Sequence, residues 1–273
     1  MLRRSFLGTT AALLAVGCVP AEDPSTPRVS AGGTSLVLGS RPRVVGPSGA
    51  SLEIEAARHL VVRFDADGSV TATMGGLGTE VGALNGPAQV GFAPNGDAWV
   101  LDRGNGRVQR FDPAGFPVAV LEAPDATALA IGADGTLALG EATRGQVRIV
   151  GEDGSLVRVV ELGAVPRDVA WAPDGQLVVL TYAGGLVRSG PRTFDTLLSP
   201  GSLAFPLGVA VADDGRIFVA EAGAFALRVL AADGSTIEAV RSVLDDGRLA
   251  QPVQVSAHGS VALVTMVPGP REA

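Results

Sequence analysis

The sequence predicts an all-β fold, six four-stranded sheets set around an axis, on three observations. Tight Xaa-Xaa-Gly turns recur at Gly49, Gly96, Gly135, Gly175, Gly215 and Gly259, at intervals of 47, 39, 40, 40 and 44 residues. Short strand-like runs fill each interval, four to a unit. Apolar residues make up 47% of the 273-residue chain, yet no run beyond the N-terminus reaches the ~18 apolar residues of a spanning helix. That apolar content belongs in a buried core.

The N-terminus reads as an address. Arg3 and Arg4 form a charged start, Phe6 to Gly17 is mostly apolar, and Cys18 follows as the only cysteine. The apolar stretch has signal-peptide length and is too short to span a bilayer. Arg3-Arg4-Ser5-Phe6-Leu7 resembles the twin-arginine export signal. Ala15-Val16-Gly17-Cys18 resembles the lipobox of bacterial lipoproteins, in which the Cys is lipidated and becomes the new N-terminus. The expected division is a cleaved signal peptide over 1–17, a lipidated Cys18 with a flexible tether over 18–33, the repeats over 34–267 and a tail over 268–273. The tether is rich in Pro, Ser, Thr and Ala without a hydrophobic period. The expected location is the cell envelope, periplasm or cell surface, with a lipid anchor in the membrane. Formal charge is −7, which argues against nucleic acid as a partner.

Each unit reads as a run of short strands joined by tight turns. The second reads AQVGFA, DAWVLD, RVQRFD, FPVAVL; the third TALAIG, TLALGE, QVRIVG, SLVRVVEL. The fourth gives RDVAWA, QLVVLTY, GLVRSG, FDTLLS, and the fifth LGVAVA, RIFVAE, ALRVLA, STIEAV. Asp-Gly and Asn-Gly suit the turns because both tolerate positive φ. Runs such as LVVL are apolar on consecutive positions, so both faces are buried and each sheet lies between neighbours. Four-stranded units repeated at about 40 residues describe a β-propeller. The last unit has only two good strands, and TSLVLG at 34–39 is spare, so the N-terminal strand is expected to complete the last blade.

In the second unit Pro87, Asn95-Gly96, Trp99-Val100, Asp102, Asn105, Arg107 and Phe111-Asp112 form a pattern that resembles the NHL repeat. The fifth unit matches in its first half and has Ala224 and Ala226 where Asn and Arg would stand. The resemblance implies a six-bladed propeller and leaves activity open, because such propellers host both enzymes and binding scaffolds.

Six residues after the turn glycine stand Glu55, Asp102, Glu141 and Glu221, with Thr181 and Thr265 in the other units. One reading is a carboxylate-lined mouth that takes a cation or basic ligand, with Arg103, Arg144 and Arg167 nearby. The other is scaffold: each acid holds loop amides or pairs with an Arg, among them the equally spaced Arg148, Arg188 and Arg228. The variable segments 75–87, 199–206 and 244–252 join the units on the same face as these acids, so ligand binding is expected at the axis there. The candidate ligand residues are Glu55, Asp102, Arg103, Glu141, Arg167 and Glu221. His59 and His258 are the only histidines, too few for the several-His zinc site of amidating-lyase propellers. The expectation is a non-catalytic binding module for an envelope protein, glycan or small ligand, without cofactor. The alternative is a lactonase of the gluconolactonase and regucalcin type, which would use Ca²⁺.

Overall fold

A computed structural model describes residues 28–31, 34–39, 43–46, 48–190, 194–242, 249–258 and 261–268. The signal-like segment, Cys18 and most of the tether lie outside them. The described chain forms six four-stranded sheets. Five are regular blades, each an antiparallel meander of consecutive strands. The first comprises Arg43–Val45, Ser51–Glu55, Leu60–Phe64 and Val70–Gly75. The second runs through Pro87–Phe92, Ala98–Asp102, Arg107–Phe111 and Pro117–Glu122. The third is Ala126–Ile131, Leu137–Glu141, Gln146–Val150 and Leu156–Glu161. Pro166–Trp171, Leu177–Thr181, Leu186–Ser189 and Phe194–Leu198 make the fourth, and Pro206–Val211, Ile217–Glu221, Ala226–Leu230 and Thr236–Arg241 the fifth.

The recurring turns close the inner hairpin of each blade. Gly96, Gly135, Gly175 and Gly215 have φ of 87°, 85°, 78° and 84°, where a Cβ is strained. The preceding Asn95, Asp134, Asp174 and Asp214 each accept a backbone N–H two residues on, the Asx geometry that makes these residues good turn formers. Second strands are buried along their whole length in the second to fifth blades. Apolar clusters fill the spaces between sheets: Trp99, Leu101 and Val108 of the second blade, for example, pack on Leu129, Leu137 and Leu139 of the third.

The expectation is six blades, the last completed by the N-terminal strand; five regular blades are seen, and the sixth sheet departs from them. Its order is Arg28–Ala31, Thr34–Gly39, Val261–Pro268, Ala250–His258, and Thr34–Gly39 runs parallel to its C-terminal neighbour with Ser35 opposite Val261 and Gly39 opposite Thr265. Two causes combine. Among the described residues the last unit supplies two strands, and Thr34–Gly39 must end on the face where Arg43 starts the first blade. Its direction is therefore that of an outer fourth strand, although it occupies the third position. Arg28–Ala31, read from sequence as tether, pairs antiparallel with Thr34–Gly39. Ser256 of this sheet donates from Oγ to the Arg43 carbonyl at 2.9 Å, which links it to the first blade.

Candidate functional site

The repeated acids sit where the sequence places them, at the ends of second strands, but their oxygens are used by the scaffold. Asp102 is fully buried. Its Oδ1 accepts the Asn85 N–H at 2.6 Å, and its Oδ2 accepts from Asn105 Nδ2 at 2.8 Å, Arg107 Nε at 2.8 Å and Gln109 Nε2 at 3.2 Å. Glu141 accepts from Arg148 Nε and Gln146 Nε2, both at 2.6 Å, and from Arg144 Nη1 at 3.4 Å. Burial works to raise the Glu141 pKa, but the hydrogen bonds from Arg148 and Gln146 and the charges of Arg148 and Arg144 prevail and hold it below the ordinary carboxylate range. Glu221 accepts the Ala204 N–H at 2.8 Å and binds Arg228 through both oxygens, at 2.7 and 3.1 Å. Glu55 is half-buried and pairs with Arg58 at 3.0 Å.

Arg103 is exposed in a short 3-10 turn, Arg103–Asn105. Arg167 lies over the Tyr182 ring with its guanidinium carbon 4.6 Å from the centroid. Glu55, Asp102, Glu141 and Glu221 are thus each paired with an Arg of their own blade. Arg188 breaks the expected Arg series: Thr181 replaces the acid in its blade, and Arg188 pairs with Asp174 at 2.6 Å instead.

Polar groups converge on the axis instead. In the second to fifth blades the pairing of first and second strands shifts register between residues Pro87/Gln89, Ala126/Ala128, Pro166/Asp168 and Pro206/Gly208, and the sixth sheet does the same at Pro252/Gln254. This recurrent β-bulge re-aims the following side chain. Asp168 is buried and collects three donors: Gln89 Nε2 at 2.7 Å and the Val169 N–H at 2.9 Å on Oδ1, and the Val209 N–H at 2.8 Å on Oδ2. Gln89 turns its own Oε1 to the Leu129 N–H. Two side chains therefore tie four blades together across the channel.

The donors are inner-strand edges. A first strand has a partner on one side only, and the residues in its non-hydrogen-bonded pairs turn N–H and C=O toward the axis. Leu129, Val169 and Val209 hold equivalent positions, opposite Leu139, Val179 and Val219. Burial pushes the Asp168 carboxyl up to about 6, against the three hydrogen bonds and the more distant Arg167 charge. Beside this girdle lies an axial cavity of about 190 Å³, lined by the first strands of all six sheets, from Gln89, Asp168 and Gln254 down to Ile131, Trp171 and Val211. It occupies the half of the channel nearer the Xaa-Xaa-Gly turns, not the half nearer the between-blade loops. Gln89, Asp168 and Gln254 are absent from the sequence-derived candidates. Their signal was a polar residue two positions after Pro87, Pro166 and Pro252, at one point of the repeat.

These features define a β-propeller of four-stranded blades with a small polar site on its axis. No protein-family model matches the chain, and no characterised protein matches it in sequence. Solved structures do share the fold. A virginiamycin B lyase from Staphylococcus aureus aligns with a TM-score of 0.63 at 15% identity, over 86% of this chain and 85% of that one. A catalytically inactive variant of that enzyme, solved with quinupristin, gives 0.65 at 14% identity over 88% and 80%. A protein of unknown function from Desulfotomaculum acetoxidans gives 0.57 at 17% identity over 76% and 72%. At these identities the likeness is one of fold.

Proposed function

We infer that the chain is an exported lipoprotein whose propeller, of NHL type, binds a small ligand at the cell envelope without transforming it. The Arg3-Arg4 signal, the Cys18 lipobox and the tether support export and anchoring. On this reading the N-terminal strand closes a six-bladed ring, supported by the pairing of Thr34–Gly39 with Val261–Pro268. The observation that carries the binding role is the axial cavity, to which every sheet contributes its first strand. Its volume falls below the ~300–1,000 Å³ of sites for drug-sized molecules, so the ligand is compact.

The lactonase alternative requires three or four oxygens that converge on one ion. Asp102, Glu141 and Glu221 each hold an Arg of their own blade instead, and among the described residues no three His, Cys, Asp or Glu side chains gather as a metal set. Two measurements test the reading. Wild-type protein should partition into detergent and Cys18→Ala should not; a mature soluble protein with a free Cys18 thiol overturns the anchor. A panel of simple lactones should show no turnover with or without added Ca²⁺; turnover that EDTA abolishes would replace the binding role with hydrolysis.

A further inference from the structure

We propose that the axial cavity binds a compact organic ammonium ion, with Asp168 as its counter-charge. This inference rests on the axial binding role and names its ligand class.

A carboxylate offers about four lone-pair sites. On Asp168 three are taken, two on Oδ1 and one on Oδ2. The remaining site is on Oδ2, beside Gly208 and Gln254. A Cβ built on Gly208 would stand 3.5 Å from Asp168 Oδ2 and 3.4 Å from the Gln254 Cα, so no side chain fills that side. All three donors are neutral amide N–H groups. Arg167, the nearest cation, stacks on Tyr182 and makes no hydrogen bond to Asp168. The carboxylate is therefore buried without a paired cation, a costly arrangement unless a ligand completes it.

The rest of the wall suits a donor. The strand register that turns the Val169 and Val209 N–H groups onto Asp168 turns the carbonyls of the same residues toward the axis as well. The N–H groups are used and the carbonyls face the channel. The Asp168 Oδ2 beside the Val169 and Val209 carbonyls offers several acceptors and one negative charge. An ammonium group, with three donors and one positive charge, matches it, whereas a carboxylate or phosphate meets like charge. The Gln254 side chain lines the same cavity and can accept or donate to a polar substituent on the ligand.

The probe is n-propylammonium, titrated calorimetrically into the full-length protein in detergent, with 1-propanol, propionate, K⁺ and Ca²⁺ in parallel. The expected result is saturable, one-to-one binding of propylammonium alone. Asp168→Asn should weaken it about tenfold or more, the value of a lost charge-assisted hydrogen bond. Gly208→Ala places a methyl group over Oδ2 at ordinary contact distance; it should fold normally and weaken binding as well, which keeps the test open if Asp168→Asn does not fold. Tight binding of K⁺ or Ca²⁺ that propylammonium does not displace overturns the proposal. If propanol or propionate binds, is blocked by Gly208→Ala and ignores Asp168→Asn, the ammonium class is wrong while the axial binding role stands. Silence from every probe overturns the ammonium site and leaves the wider role to the lactone and partition measurements.

Discussion

Asp168 and Asp102 show how buried carboxylates at two different positions of the repeat differ in their consequences. Asp168 has its pKa pushed up to about 6 by burial, while an unfolded Asp titrates near ~3.9. The folded state therefore holds this proton more tightly, and its contribution to stability is largest below about pH 4 and is lost as pH rises through about 6. The difference amounts to about 3 kcal/mol at neutral pH. Between about pH 4 and pH 7 the denaturant midpoint of wild type should fall relative to that of Asp168→Asn; parallel profiles would show that Asp168 does not titrate there. Asp102 has an Arg107 partner at 2.8 Å and three further donors. Asp102→Ala leaves the Arg107 Nε and the Asn85 N–H without their acceptor and the buried guanidinium, still held by the Thr79, Glu80 and Ala83 carbonyls, without its counter-charge, and should cost about 3–5 kcal/mol. The check is a chemical melt. A stable Asp102→Ala protein with impaired ligand binding would restore the acids as a site. Glu141 acts with the opposite sign to Asp168: its depressed pKa supplies stability present above the unfolded value and lost as pH falls toward the folded one.

At the scale of the element, the inner hairpin turn and the connection between second and third strands constrain glycine differently. Gly175 has φ of 78° with nothing within 4 Å of a built Cβ, whereas Gly184 has φ of 73° and its Cβ would lie 2.7 Å from the Leu203 carbonyl oxygen. Gly175→Ala should therefore cost the left-handed strain alone, about 1–2 kcal/mol. Gly184→Ala should cost visibly more, because backbone must move as well. Thermal midpoints of the two variants under one buffer decide this; equal losses would mean that the Leu203 segment yields freely. The turns and strands of these elements were legible in the sequence because Asp-Gly and Asn-Gly fix local backbone geometry. The recurrent bulge was not, since it depends on how two strands pair, and a pairing register leaves only a faint trace: one polar residue in an apolar strand.

For the whole molecule, the sixth sheet is the weak point. It joins residues 28–39 to residues 250–268, and a contact between chain ends carries the largest loop-closure cost in the fold. Removal of residues 28–39 should bare the edge of Val261–Pro268 and lead to aggregation. Size-exclusion chromatography of the truncated protein checks this; a monomer with wild-type stability would show that the N-terminal strands are dispensable. Slow refolding, with late protection of the Ala250–His258 and Val261–Pro268 strands in hydrogen exchange, is the kinetic counterpart.

The sequence by itself determined the repeat, the turns and the four-stranded unit, because each rests on residues adjacent in the chain. It also placed Glu55, Asp102, Glu141 and Glu221 correctly at strand ends. What those acids do was decided only by tertiary structure. Whether Asp102 meets a ligand or Arg107, Asn85 and Gln109 depends on segments up to about two dozen residues apart that the fold brings together. The Asp168–Gln89 contact spans 79 residues and three blades. No local pattern encodes it: it exists because a ring of inner strands points its unpaired edges at one axis, and polar side chains at the bulge are what remains to satisfy them.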